Sequence, residues 1–216
     1  MAKPPVVDDA QFEHLLEAAV SCSRLPIRDS ALLLVLYETA LSVTELASIT
    51  VSDYLDAQGN VRTTSAVRVD VAHNGEERPL YWTNARVVAA LDAYLAWRLD
   101  RQHGVTSEQV DYRGLDPESS LFLTETGGPY ALTKRKLPSG AWSYSCNTLG
   151  TCISRLHTYA GIDGGSAQSA RRTLAVKLHR QGRDLGQIAA FLGHKNVSTT
   201  KRLVVQSRNS AADSEG

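Results

Sequence analysis

Between residues 51 and 82 the chain alternates apolar and polar residues with the period of two that a half-buried strand requires. On both sides of that stretch the apolar period is helical. The segments VSDYLDAQGNVRTT and SAVRVDVAHNGEERPLYW carry Gln58-Gly59-Asn60 and Asn74-Gly75, which have the chemistry of tight hairpin turns. One small antiparallel sheet set among helices is therefore expected, a mostly α chain of the α+β class.

The helical flanks can be placed from their punctuation. Asp8 or Asp9 can cap a first helix running to about Ser21, with Phe12, Leu15, Leu16 and Ala19 at helical spacing. Pro26 breaks the pattern, and Asp29 or Ser30 then begins the apolar helix ALLLVLYETA, which ends near Leu41. A short helix over Val43–Ser48 follows, with Thr44 as a local cap, and another over Thr83–Asp100. Gly104–Ser120 is turn-rich, and LFLTETGGPY reads as an extended piece with a Gly-Gly-Pro turn. KRKLPSGAWSYS is either a loop or an inserted hairpin. Helices resume over Asn147–Ala160, Ser166–Gln181, Asp184–Leu192 and from Ser198 onward, and NSAADSEG is expected to be disordered.

At 216 residues, with 43% hydrophobic and 21% charged residues, the chain can bury a sizeable core as one compact unit. The apolar run Ala31–Leu36 is too short to cross a membrane, and MAKPPVVDDAQ lacks the apolar core of a signal peptide. Cys22, Cys146 and Cys152 show no metal-binding spacing, so the expectation is a cytoplasmic protein with reduced thiols, no metal and no cofactor. The net charge of zero hides an asymmetry: Met1–Thr133 holds 10 Lys and Arg against 19 Asp and Glu, a balance of −9. Lys134–Arg208 holds 13 against only Asp163 and Asp184, a balance of +11. A region that basic is either a solvated counterweight to the acidic one or an electrostatic footprint for phosphate.

Four segments, taken in order, resemble the catalytic domain of tyrosine recombinases and phage integrases. RDSALLLVLYETALSVTELASITVSDY resembles the family's helix, Thr-Gly-Leu-Arg turn and Ser/Thr-Glu-Leu helix. VRVDVAHNGEERPLYW resembles its sheet with a Gly-Lys-Gly-type turn, and LFLTETGGPY its Leu-Phe segment. SARRTLAVKLHRQGRDLGQIAAFLGHKNVSTTKRL is similar to its closing box. The resemblance implies a lead-in over residues 1–23, an integrase-like domain over 24–207 and a tail over 208–216. Because only residues 1–23 precede the first box, the N-terminal domain that in relatives closes on the other face of the duplex is expected to be absent.

Covalent cleavage of a phosphodiester needs a nucleophile, donors for the transition-state charge and a proton for the leaving oxygen. The resemblance implies a tyrosine, two arginines, one or two histidines and a lysine in those roles. Ser42 stands where the first arginine would follow Leu41, and a hydroxyl cannot supply the charged, bidentate fork of a guanidinium. The lysine position falls at or next to His73, which is either a short-reach acid or a turn histidine without a role. In the His-x-x-Arg pair, Gln168 replaces the histidine while Arg171 remains, with Arg172 beside it. His194 retains the later histidine, and Leu203 occupies the tyrosine's place.

An alkyl side chain cannot attack phosphorus, and no tyrosine follows Tyr159. The hydroxyls of Ser198, Thr199, Thr200 and Ser207 have no evident base and read as a helix-capping cluster. The catalytic set Ser42, His73, Gln168 and Leu203 is therefore degenerate, each lost donor being worth about 2.7–4 kcal/mol. A phosphate-holding set remains: Arg171, His194, Arg172, Lys177, Lys195, Lys201 and Arg202, with Lys134, Arg135 and Lys136 as a second cluster. The expectation is a non-catalytic, backbone-tracking binder of double-stranded DNA, architectural or regulatory in recombination or a mobile element. The protein itself or a full-length recombinase is a possible partner. Two readings stay open beside it: an active recombinase with an unusual nucleophile, and a protein-interaction module that modulates a full recombinase.

Overall fold

The computed structural model describes residues 3–72, 74–106, 111–136, 138, 140 and 142–205. His73 and the tail 208–216 lie outside the described residues. Helix α1 (Asp9–Cys22) opens on Asp8, whose side chain accepts from the Gln11 N–H while the Gln11 side chain accepts from the Asp8 N–H. Helix α2 (Pro26–Thr39) starts earlier than expected, because Pro26 is the first helical residue and not a breaker. A proline there sacrifices only an N–H that would have no intrahelical partner, and its fixed φ suits the first turn. Residues 31–37 of α2 are all buried, as an all-round apolar helix must be. They make α2 the axis of the main core, packed against α1, α5 (Ala85–Asp100) and α7 (Ala167–Arg180).

Helix α3 (Val43–Ser48) has the expected bounds, but its cap is Ser42 and not Thr44. Val51–Tyr54, placed at the head of a strand by its alternation, is the single helical turn α4. The turn forms because Asp53 reaches back to the Thr50 N–H at 2.8 Å, a local bond that outbids a short strand. Strands β1 (Thr64–Val67) and β2 (Arg78–Tyr81) then pair antiparallel, Thr64 opposite Tyr81 and Val67 opposite Arg78. The inserted segment resolves as a second hairpin, β3 (Thr133–Lys136) with β4 (Trp142–Ser145). Among the described residues the expected small antiparallel sheet is thus joined by a second two-stranded one, the inserted hairpin.

Helices α6 (Asn147–Tyr159), α7, α8 (Leu185–Leu192) and α9 (Val197–Val205) follow, each beginning within a residue or so of its expected start. The last three build a second, smaller apolar cluster from Leu174, Ala175, Ile188, Leu192 and Val204, which also takes in Ala40. This cluster holds the closing box against the α2–α3 turn. No helix among the described residues is long and apolar enough to cross a membrane.

Candidate nucleic-acid interface

The α2–α3 turn sets the geometry. Ala40 ends α2 in the left-handed conformation (φ 53°), where a residue with a Cβ is strained and a glycine is not. Two residues on, Ser42 closes a reciprocal cap: its N–H donates to Glu45 Oε2 at 2.7 Å and its hydroxyl accepts from the Glu45 N–H. The Ser42 side chain is thereby committed to the helix start, with Thr44 Oγ1 3.1 Å away. Glu45 is fully buried and receives a bidentate guanidinium from Arg78 on β2, at 2.6 and 2.8 Å.

Arg171 points into the same region. It is only 4% exposed, and its guanidinium donates to the carbonyls of Ala40 and, at 2.6 Å, Leu192. Burial pushes its pKa down to about 10, with the Glu45 carboxylate opposing the shift and Arg78 adding to it. It stays charged at neutral pH. Arg171, expected as a phosphate ligand, is thus buried and staples α7 to the α2–α3 turn and the end of α8. Arg172, half-buried, donates to the Pro4 carbonyl at 2.5 Å and so ties down the lead-in.

Gly193 caps α8 with φ 69°, which turns His194 back over α8. His194 Nδ1 lies 2.8 Å from Thr200 Oγ1, and Thr200 is fully buried on α9. Thr200 thus has an imidazole within reach, contrary to the expectation of no adjacent base, but no substrate can touch it as placed. The cap of α9 is Asn196, whose Oδ1 accepts from the Ser198 N–H at 2.8 Å, and not the Ser-Thr-Thr cluster. His194 borders a cleft of about 360 Å³ with Asn74, Arg78, Gln187, Phe191 and two carboxylates, Glu76 and Glu77. Gln168 is exposed in another cleft, of about 580 Å³, beside Val43, Thr44 and the base of the β3–β4 hairpin. Leu203, half-buried, packs on the second apolar cluster.

The fold therefore brings Ser42, Gln168, Arg171 and His194 into one neighbourhood, joined through the two carbonyls that Arg171 holds. Lys177, Lys195, Lys201 and Arg202 are exposed on α7, the α8–α9 turn and α9, and Lys134, Arg135 and Lys136 are exposed on β3. Sequence reading missed Arg78. Its signal was present: Arg78 alternates with Leu80 and Trp82 on the inward side of a strand, a place where only a paired charge can be buried.

The phage integrase family model matches residues 5–208. The tyrosine recombinase XerC of Herpetosiphon aurantiacus is 29% identical over 199 residues, covering 92% of this chain and 55% of its own. XerC of Myxococcus xanthus is 30% identical over 178 residues, covering 82% of this chain and 50% of its own. The chain spans about half the length of the curated relatives it matches. Among solved structures, the XerA recombinase superposes with a TM-score of 0.67 at 23% identity, over 100% of this chain and 67% of that one. The XerH site-specific recombinase bound to palindromic difH substrate, a post-cleavage complex, superposes with a TM-score of 0.64 at 15% identity, over 99% of this chain and 54% of that one. With the match running through the first box, the sheet and the closing box alike, the chain belongs to the phage integrase family and has the fold of a tyrosine recombinase catalytic domain.

Proposed function

We propose that this chain is a DNA-binding member of the family that does not cut DNA, acting as an architectural or regulatory factor in recombination or in a mobile element. The observation that carries the reading is Leu203. At the position of the family's nucleophile it offers only an alkyl group, packed against the second apolar cluster. Ser42 supports it, because its hydroxyl is spent on a helix cap where the family has a guanidinium. The exposed cations Lys134, Arg135, Lys136, Lys177, Lys195, Lys201 and Arg202 form the surface for the backbone of double-stranded DNA. That XerH and the Tn1549 transposon integrase were solved with DNA on the same fold favours this partner. Arg171 then acts on DNA only indirectly, by holding the α2–α3 turn and the His194 turn together.

Fluorescence anisotropy with duplex DNA across a salt series, with a scrambled-sequence control, tests the binding. A steep fall of affinity with salt, similar for both sequences, is expected. No binding at low salt would refute the proposal. A second reading, an active recombinase with an unusual nucleophile, requires that Thr200, 2.8 Å from His194 Nδ1 but fully buried, become accessible. A nicked suicide substrate separates the two: no covalent adduct is expected, and an adduct abolished by Thr200→Val would establish the second reading.

A further inference from the structure

The β3–β4 hairpin has a composition that its place in the fold does not explain. A lone two-stranded ribbon is marginal in water. Strand β4 of this one packs against α3, and every residue of β3 is exposed. Such a ribbon gains nothing from large apolar side chains on its outside, yet Trp142 is 51% and Tyr144 50% exposed. The register places Lys134 opposite Tyr144 and Lys136 opposite Trp142, so two rings and two ammonium groups share one face. Thr133, Arg135, Ser143 and Ser145 share the other.

Charge selects the occupant. From residue 126 to residue 162 the chain has no Asp or Glu, while Lys134, Arg135, Lys136 and Arg155 are all cationic. A protein partner would favour aromatic side chains at the centre of its interface but not clustered lysines, which such interfaces deplete. Phosphate is the complementary group. One cation serves both rings: the Lys134 ammonium sits 4.2 Å from the centre of the Trp142 ring and 5.7 Å from that of Tyr144. Exposed rings flanked by cations suit the sugars and base edges of a groove lined by phosphates. A two-stranded ribbon is also of a width that the major groove admits. Finally, the ribbon stands over the cleft of about 580 Å³ that Tyr144 and Ser145 share with Thr44 and Gln168. A duplex whose phosphate approached Gln168 would run beneath it.

We propose that the β3–β4 ribbon enters a groove of duplex DNA, with Trp142 and Tyr144 against sugars and base edges and Lys134, Arg135 and Lys136 on the flanking phosphates. This rests on the DNA-binding reading above and adds a groove contact to it. Trp142 is the most exposed tryptophan, Trp82 being buried and Trp97 partly so, which makes its fluorescence a direct reporter. Adding duplex to the whole protein shifts or quenches that emission, and the change disappears in Trp142→Phe. The double variant Trp142→Ala/Tyr144→Ala lowers duplex affinity about tenfold or more with an unchanged salt slope, because the lost contacts are not ionic. Lys134→Ala/Arg135→Ala/Lys136→Ala instead reduces the slope, by up to about 2.7. Duplex binding without a Trp142 response, or with affinity unaltered in the aromatic variant, overturns the groove contact while leaving DNA binding intact. Tighter binding to a single strand of equal length overturns it as well. Failure of the wild-type protein to bind any duplex overturns the parent reading.

Discussion

Glu45 is the group on which the stability of the candidate site most depends, and replacing it with Gln gives a quantitative test. Its carboxylate is fully buried, receives both forks of Arg78 at 2.6 and 2.8 Å, and accepts the Ser42 N–H at 2.7 Å. It is also the anion that favours the charged form of buried Arg171. Gln keeps the shape but removes the negative charge that pairs with buried Arg78 and favours the charged form of buried Arg171. Breaking one partner of a buried pair costs about 3–5 kcal/mol, most of it the orphaned charge left behind. For a chain of this size that is a fall in Tm of roughly 6–20 °C, read by circular dichroism. The exposed pair Glu13–Arg86 is the control, at side-chain exposures of 54% and 57% and a distance of 2.6 Å. Glu13→Gln should cost less than about 1 kcal/mol, since exposed ion pairs are screened. Adding Arg78→Met to Glu45→Gln should recover part of the loss by removing an orphaned cation. If Glu45→Gln moves Tm no further than Glu13→Gln, the buried pair is not as described and the reasoning fails.

Three further outcomes are expected. His157 is fully buried, with Nδ1 2.8 Å from the Ile153 carbonyl and Nε2 2.8 Å from the Tyr37 hydroxyl, so Nδ1 donates and the ring is neutral. Burial lowers its pKa, the Ile153 bond partly opposing, so the unfolded chain binds the extra proton first. Stability is therefore full above the ordinary imidazole pKa of about 6.5 and is lost as pH falls below it, and thermal melts of His157→Gln across pH should lack that drop. Lys195→Ala/Lys201→Ala should reduce the slope of log affinity for DNA against log salt by about 1.8, without changing the preference between sequences. Leu203→Tyr alone should form no covalent adduct with a nicked suicide substrate, because Ser42 and Gln168 still stand where the family has a guanidinium and an imidazole, groups worth about 2.7–4 kcal/mol each in the transition state.

The elements that the sequence displayed were those written in period and punctuation. Asp8 caps α1, one of the two residues expected there, and α5 and α8 fell within a residue or two of the limits that the apolar period set, with Asn84 and Asp184 as their caps. Short elements were harder, because a single side-chain bond decides them: Asp53 to the Thr50 N–H makes a helical turn of a segment patterned as a strand. At the site, the neighbours Ser42, Gln168, Arg171 and His194 came from the resemblance. Their roles depended on which way each side chain turns, and one-dimensional spacing does not record that. Arg171 faces inward and Lys195 outward from equally basic stretches. Arg78 and Glu45, 33 positions apart, look like surface charges until the sheet folds over the α2–α3 turn.

The Arg171 staple bears on how such a chain can change over generations. Its guanidinium is the donor for two buried carbonyls, at Ala40 and Leu192, that sit 131 and 21 positions away in sequence. Losing the arginine would strand both, at about 1–3 kcal/mol for each buried group left unsatisfied, which is a large share of a marginal total stability. Selection for a folded chain alone would therefore retain it, with no phosphate to bind. Ser42 and Leu203 are half-buried and Gln168 is exposed, and none of the three holds a pair of buried carbonyls. Reactivity in this architecture can drift away one accessible side chain at a time, while the arginine at its centre is inherited as part of the frame.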